Sequence, residues 1–169
     1  MAGRQSRKSS TVTHQDPYSN RIRVRACGIL VVEEKILLVE QNVPARKHPV
    51  WIPPGGGVRT GESAEDALTR EFFEETNLRI SGLKLKYINE YIQNPYHAME
   101  LYFLVESYSG ELKPGYDPEH TQTNQLIRDV RFIPFSELKH IQIVPEFIRD
   151  ELNSKKYLDD QITFYKSEN

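Results

Sequence analysis

With a single cysteine in 169 residues, the chain has neither a disulfide framework nor a cysteine-ligated zinc site to hold it together. Cys27 lies in the apolar run ACGILVV, where a small buried hydrophobe is expected. No stretch approaches the roughly 20 apolar residues that a spanning helix needs, so no membrane partner is expected. The basic start MAGRQSRKSS is followed by no apolar segment and does not read as a secretory leader; the expected compartment is the cytoplasm. A strong excess of charge of one sign is also missing, since 22 Lys and Arg stand against 24 Asp and Glu. At 38% hydrophobic residues the composition is that of a folded protein, and the length fits one domain.

That balance hides an asymmetry. Residues 1–25 hold six of the 22 bases (Arg4, Arg7, Lys8, Arg21, Arg23, Arg25) and one of the 24 acids (Asp16), leaving 16 bases and 23 acids elsewhere. Charges so spread fit a solvated terminus better than a nucleic-acid arm. Residues 1–20, polar and without apolar periodicity, are read as a flexible basic tail, 21–158 as the domain and 159–169 as a C-terminal tail. RIRVRACGILVV and KILLVEQ read as two strands of a hairpin across Glu33 and Glu34. WIPPGGGVRTGE, with two prolines and four glycines, reads as an irregular loop. Two more strands are expected around Asn94-Pro95-Tyr96-His97, then a long loop over 109–123, a strand in RDVRFIPF and a helix opened by Pro145. The mixed order of elements predicts an α/β fold, a sandwich with a mixed sheet.

The helix expected over 64–76 carries the chemistry. Ser63 is its N-cap, Glu65 and Asp66 sit in its first turn, and Asn77 is a left-handed stop. At 100° per residue, Ala64, Ala67, Leu68 and Phe72 form the buried stripe, and Glu65, Asp66, Thr69, Arg70 and Thr76 lie away from it. Glu71, Glu74 and Glu75 instead extend the apolar stripe toward the C-terminal end. Three half-desolvated carboxylates at i, i+3 and i+4 repel one another unless protonated or neutralised by cations. Hard oxygen donors select Mg²⁺ or Mn²⁺, ions that commonly bind substrate phosphates as well. The adjacent glycines permit close backbone approach to a phosphate and offer a carbonyl as a further ligand.

The run Gly56–Leu78, GGVRTGESAEDALTREFFEETNL, resembles the Nudix box. Gly56, Glu62, Arg70, Glu71, Phe72, Glu74, Glu75 and Leu78 match it; Asn77 replaces the family's glycine, a tolerable exchange in a left-handed position. PVWIPPGG and DVRFIPFSEL extend the likeness over about 21–158. The resemblance implies a Nudix-like α/β/α sandwich and a metal-dependent hydrolase that cleaves a diphosphate bond in a nucleoside diphosphate linked to another group. It implies that Glu71, Glu74, Glu75 and the Gly55 carbonyl ligate Mg²⁺ or Mn²⁺. Arg70 would then orient the carboxylates, Glu62 hold the loop to the helix, and Glu71 serve as general base, with Glu119, beside His120, as a loop alternative.

The partner implied is a small nucleotide. Tyr96 and Arg25 are candidate substrate contacts, and Tyr87, Tyr91 and Tyr102 share the hairpin where a ring could stack on a base. Pro95 and Tyr96 lie near positions that point to different subgroups, ADP-ribose pyrophosphatases and diadenosine polyphosphate hydrolases. A homodimer is left open. Two alternatives are a non-catalytic nucleotide-binding module, against which the intact acids argue, and an isopentenyl diphosphate isomerase-like enzyme, for which Cys27 is a poor acid.

Overall fold

A strand whose side chains alternate between two faces is apolar throughout only if both faces are covered. The middle of the strand Lys35–Gln41 (β3), Ile36 to Val39, is such a case. Its Leu37 and Val39 enter one buried cluster with Ala67, Leu68 and Phe72 of the helix Ala64–Thr76 (α1). Ile36 and Leu38 enter another with Ile148 and Leu152 of the helix Phe147–Asn153 (α2). Helices therefore lie on both faces of the strands, the α/β/α sandwich expected. The computed structural model describes residues 19–42, 48–115 and 127–168.

The remaining strands are β1 (Ile22–Ile29), β2 (Val31–Val32), β4 (Val50–Ile52), β5 (Gly55–Gly57), β6 (Arg79–Gln93), β7 (Tyr96–Ser109), β8 (Ile127–Pro134) and β9 (Thr163–Glu168). One sheet runs β5-β1-β7-β6-β9; in the other, β3 pairs with β2, β4 and β8. The β1–β7 and β6–β9 pairs are parallel and the others antiparallel, so the first sheet is mixed.

Several expectations are corrected here. The hairpin over 21–41 forms only at its tip, where Val31 and Val32 pair with Ile36 and Lys35 around Glu33 and Glu34, both at positive φ (49° and 58°). β1 instead joins the other sheet between β5 and β7. The Pro- and Gly-rich segment is partly regular, because β5 sets the backbone of Gly55, Gly56 and Gly57 against Cys27, Ala26 and Arg25. Thr76, placed on the outer face of α1, is fully buried. Its hydroxyl donates to the Phe72 carbonyl (2.6 Å) and accepts from the Leu78 amide (3.2 Å), so its polar group is satisfied inside.

Residues 159–169, read as a tail, contain β9. The ring of Tyr165 stacks on Phe147 with centroids 4.1 Å apart, and its hydroxyl donates to Glu151 (2.5 Å). Ser167 donates to Asn89 (2.9 Å). Lys86 is buried and donates to the carbonyls of Asp159 (2.8 Å) and Gln161 (2.9 Å) and to the Asp159 carboxylate, which pins the turn before β9. The short run TFYKSE carries no continuous apolar signal, which is why the pattern failed to show it. Truncation after Gln161 is expected to lower stability by at least ~2 kcal/mol, through the lost Tyr165–Phe147 stacking and the lost hydrogen bonds of Tyr165 and Ser167, with thermal unfolding as the measurement.

Candidate active site

The loop after β5 and the helix α1 are joined by one guanidinium. Arg70 donates through Nε and Nη2 to the two oxygens of Glu62 (2.8 and 3.0 Å) and through Nη1 to Glu71 (2.6 Å) and Glu74 (3.3 Å). Nη2 also reaches the Gly57 carbonyl (3.2 Å). The side chains of Arg70, Glu62, Glu71 and Glu74 are 17 to 26% exposed, so these contacts are only partly screened by water. The Arg70 hydrogen bonds, helped by the Arg59 amide, bring the Glu62 carboxyl down to about 2.

Glycines let the helix acids approach the backbone. At Gly56 a Cβ would lie 2.3 to 2.6 Å from the carboxyl atoms of Glu71, so only glycine fits beneath that side chain. At Gly55 φ is +147°, and a Cβ would lie 2.2 Å from the Ala26 carbonyl. Glu75 is buried, and its carboxylate accepts from the Gly55 amide and from Gln41 Nε2, both at 2.9 Å. It thus touches both sheets. Sequence reasoning missed Gln41; the signal available was a polar residue ending the apolar strand KILLVEQ.

The expected site residues divide clearly. Gly55, Arg70, Glu71, Glu74 and Glu75 come together. Arg25 reaches the same place, 3.5 Å from the Gly55 carbonyl, but also donates to Glu100 (3.0 Å). Glu100 is buried and accepts further hydrogen bonds from Asn89 and Tyr102 (each 2.9 Å), a network the sequence did not reveal. Tyr96 lies four residues along β7 from Glu100, about 13 Å at strand spacing, and is not brought to the carboxylates. Tyr87 and Tyr102 are buried in the α2-side core, which removes them as base-stacking surfaces. Glu119 and His120 fall outside the described residues. Cys27 is 2% exposed, and burial pushes its thiol up to about 12, so the acid needed for isomerase chemistry is absent at that position.

Among the described residues no three His, Cys, Asp or Glu side chains converge on one point, since Arg70 lies between Glu71 and Glu74. The donor set is nevertheless that of a hard divalent cation: Glu71 and Glu74 share one guanidinium, and Glu75, one helical turn on from Glu71, is bonded to the Gly55 amide. The residues fit such an ion in charge and chemistry.

Residues 22–151 match the NUDIX domain family model. The chain belongs to the Nudix family. It is 30% identical over 124 residues to the ADP-ribose pyrophosphatase of Methanocaldococcus jannaschii, covering 72% of this chain and 70% of that protein. Over 99 residues it is 32% identical to the NAD-capped RNA hydrolase NudC of Vibrio parahaemolyticus, but spans only 35% of that longer protein. The MutT Nudix hydrolase of Burkholderia pseudomallei superposes with a TM-score of 0.65, covering 79% of this chain and 97% of that one; at 24% identity it shows the fold alone. As a Nudix hydrolase the chain is an enzyme of the pyrophosphohydrolase class.

Two outcomes follow from the geometry. Gly56→Ala should fold yet lose activity about a hundredfold or more, because the new methyl displaces Glu71; parallel melting and turnover measurements check it. Glu62 has a folded pKa below its unfolded value of about 4.3, so its contribution to stability is complete above that value and is lost as pH falls toward about 2. The melting gap between the native protein and Glu62→Gln should therefore narrow steadily across that acid window.

Proposed function

We propose that this Nudix hydrolase cleaves the diphosphate bond of a nucleoside diphosphate linked to a second group, by attack of water on phosphorus assisted by Mg²⁺ or Mn²⁺. The observation that carries the reading is the meeting of Glu71 and Glu75 with the backbone of Gly55 and Gly56, with Glu74 tied to Glu71 through Arg70. Those three glutamates and the Gly55 carbonyl would hold the metal, which when bound supplies charge neutralisation and Lewis acidity at the diphosphate.

The chain's own groups then divide the work. Arg70 fixes Glu71 and Glu74 and relieves their mutual repulsion. The Gly55 amide and Gln41 fix Glu75. Glu71 acts as general base toward the attacking water, held in place by its Arg70 hydrogen bond. Arg25, expected from the sequence to meet substrate, donates to Glu100 and approaches the Gly55 carbonyl. Kinship with an ADP-ribose pyrophosphatase over 72% of the chain makes ADP-ribose the first substrate to try. The same acids argue against a non-catalytic nucleotide-binding module, which has no need of all three.

The test compares Glu75→Gln with Glu65→Gln on ADP-ribose and Mg²⁺. Glu75 is buried against Gly55 and Glu65 is exposed on the same helix. The first change should reduce kcat at least a hundredfold, about 3 kcal/mol, and the second should leave it within a few-fold. Chelator should abolish turnover in both. Equal rates in the two variants, or full turnover without a divalent ion, would sink the proposal.

A further inference from the structure

A helix leaves its last four carbonyls without partners of its own, and that end carries partial negative charge. The C-terminal end of α1 is badly suited to this. Its last turn holds no basic residue, and Glu74 and Glu75 stand among its last three residues. Charge repulsion and fraying therefore act together on the turn that bears two of the three acids. Glu65 and Asp66, in the first turn, are the acids that the helix dipole favours.

A distant segment closes this end. After β7, residues 110–115 cross the end of α1, where the Lys113 amide donates to the Thr76 carbonyl (3.1 Å) and the Gly115 amide to the Glu75 carbonyl (2.8 Å). The Asn77 side chain donates to the Glu111 carbonyl (2.9 Å), and Leu112 packs against the core cluster of Leu68 and Phe72. The approach is very close. A Cβ at Gly115 would collide with the Glu74 carbonyl oxygen and lie 2.6 Å from the carbonyl carbons of Glu74 and Glu75. The Lys113 ammonium pairs with Glu111 (2.8 Å), and it is the backbone amides of the segment that meet the helix end. A lysine or arginine head group could also cap these carbonyls, but its charge would compete with a metal ion for the carboxylates. Neutral amides complete the helix and leave the acids to a cation.

We propose that residues 110–115 are the positioning element of the metal site, and that Gly115 is a positioning residue acting through the backbone of Glu74 and Glu75. The inference deepens the function proposed above and rests on it for the identity of the cation. Groups that orient metal-ligating side chains from outside the ligand set commonly change metal affinity by roughly ten- to a hundredfold. Here the orienting contact is made to the main chain of the ligands, and it needs a glycine for its closeness.

The test measures Mn²⁺ binding by titration calorimetry, without nucleotide, for the native protein and for Gly115→Ala, Lys113→Pro, Lys113→Ala and Ile148→Val. Lys113→Pro deletes one capping amide and Lys113→Ala keeps it. Gly115→Ala and Lys113→Pro should each bind Mn²⁺ about tenfold more weakly, and Lys113→Ala should bind as the native protein does. Ile148→Val, in the core under α2, lowers the melting temperature without touching the segment and should keep native affinity, which separates positioning from destabilisation. In the metal-free protein, hydrogen exchange at the amides of Glu74, Glu75 and Thr76 should quicken about tenfold in Gly115→Ala and Lys113→Pro only. With ADP-ribose, the Mg²⁺ concentration for half-maximal rate should rise about tenfold in those two, with kcat at saturating Mg²⁺ kept within a few-fold. Native Mn²⁺ affinity in Gly115→Ala and Lys113→Pro, or an equal loss in Ile148→Val, would overturn the proposal. If the native protein binds no Mn²⁺, the function proposed above fails, and the exchange measurement alone then decides whether the segment fixes Glu74 and Glu75.

Discussion

The sharing of Arg70 among Glu62, Glu71 and Glu74 is the interaction on which the site depends. Carboxylates three and four residues apart on one helix face disfavour the folded state by repulsion, and partial burial increases that cost. One guanidinium held by five hydrogen bonds offsets it, and its planar fork allows Nε and Nη2 to grip Glu62 while Nη1 faces the helix acids. Lysine, with a compact head group, has no such fork. The contact also decides the path of the chain: Glu62 and the Gly57 carbonyl belong to the loop, so the charge balance of the helix and the position of the loop are a single problem with one solution.

Glycine solves the complementary steric problem. Glu71 crosses the backbone of Gly56 where no Cβ could stand, and Gly55 adopts a backbone conformation that brings its amide to Glu75. β5 pays for its low strand propensity by pairing with β1 and by admitting these carboxylates. Glu75 then also binds Gln41 at the end of β3, so one buried carboxylate fastens α1, β5 and the second sheet. A buried charge with these hydrogen bonds is tolerable; stripped of them it would strongly destabilise the fold.

Much of this was legible before any coordinates. The span of α1, its caps and the inward phase of its acids follow from local rules, since capping and periodicity act within a few residues. The strand in KILLVEQ was legible from its apolar run. What escaped reading depends on distant partners. β1 leaves its hairpin because β7 and β5 compete for it, and TFYKSE becomes a strand only because β6 offers an edge and Phe147 a ring. Thr76 is buried because its hydroxyl finds the Phe72 carbonyl, a satisfaction no hydropathy pattern encodes. Tyr87 and Tyr102, chosen for their chemistry, prove to be core because strand alternation carries them under α2.

The polar network behind the site shows why the last strand matters to it. Ser167 of β9 donates to Asn89, Asn89 donates to Glu100, and Glu100 accepts from Arg25, whose other nitrogen approaches the Gly55 carbonyl. Each member lies in an adjacent strand of one sheet, at successive positions across β9, β6, β7 and β1. Buried networks of this kind rigidify when every group is satisfied and destabilise when one is missing. The orientation of the Gly55 carbonyl, the one backbone group proposed to face the metal, is therefore set from both sides: by Glu75 through its own amide, and by a line of hydrogen bonds that ends at the C-terminal strand.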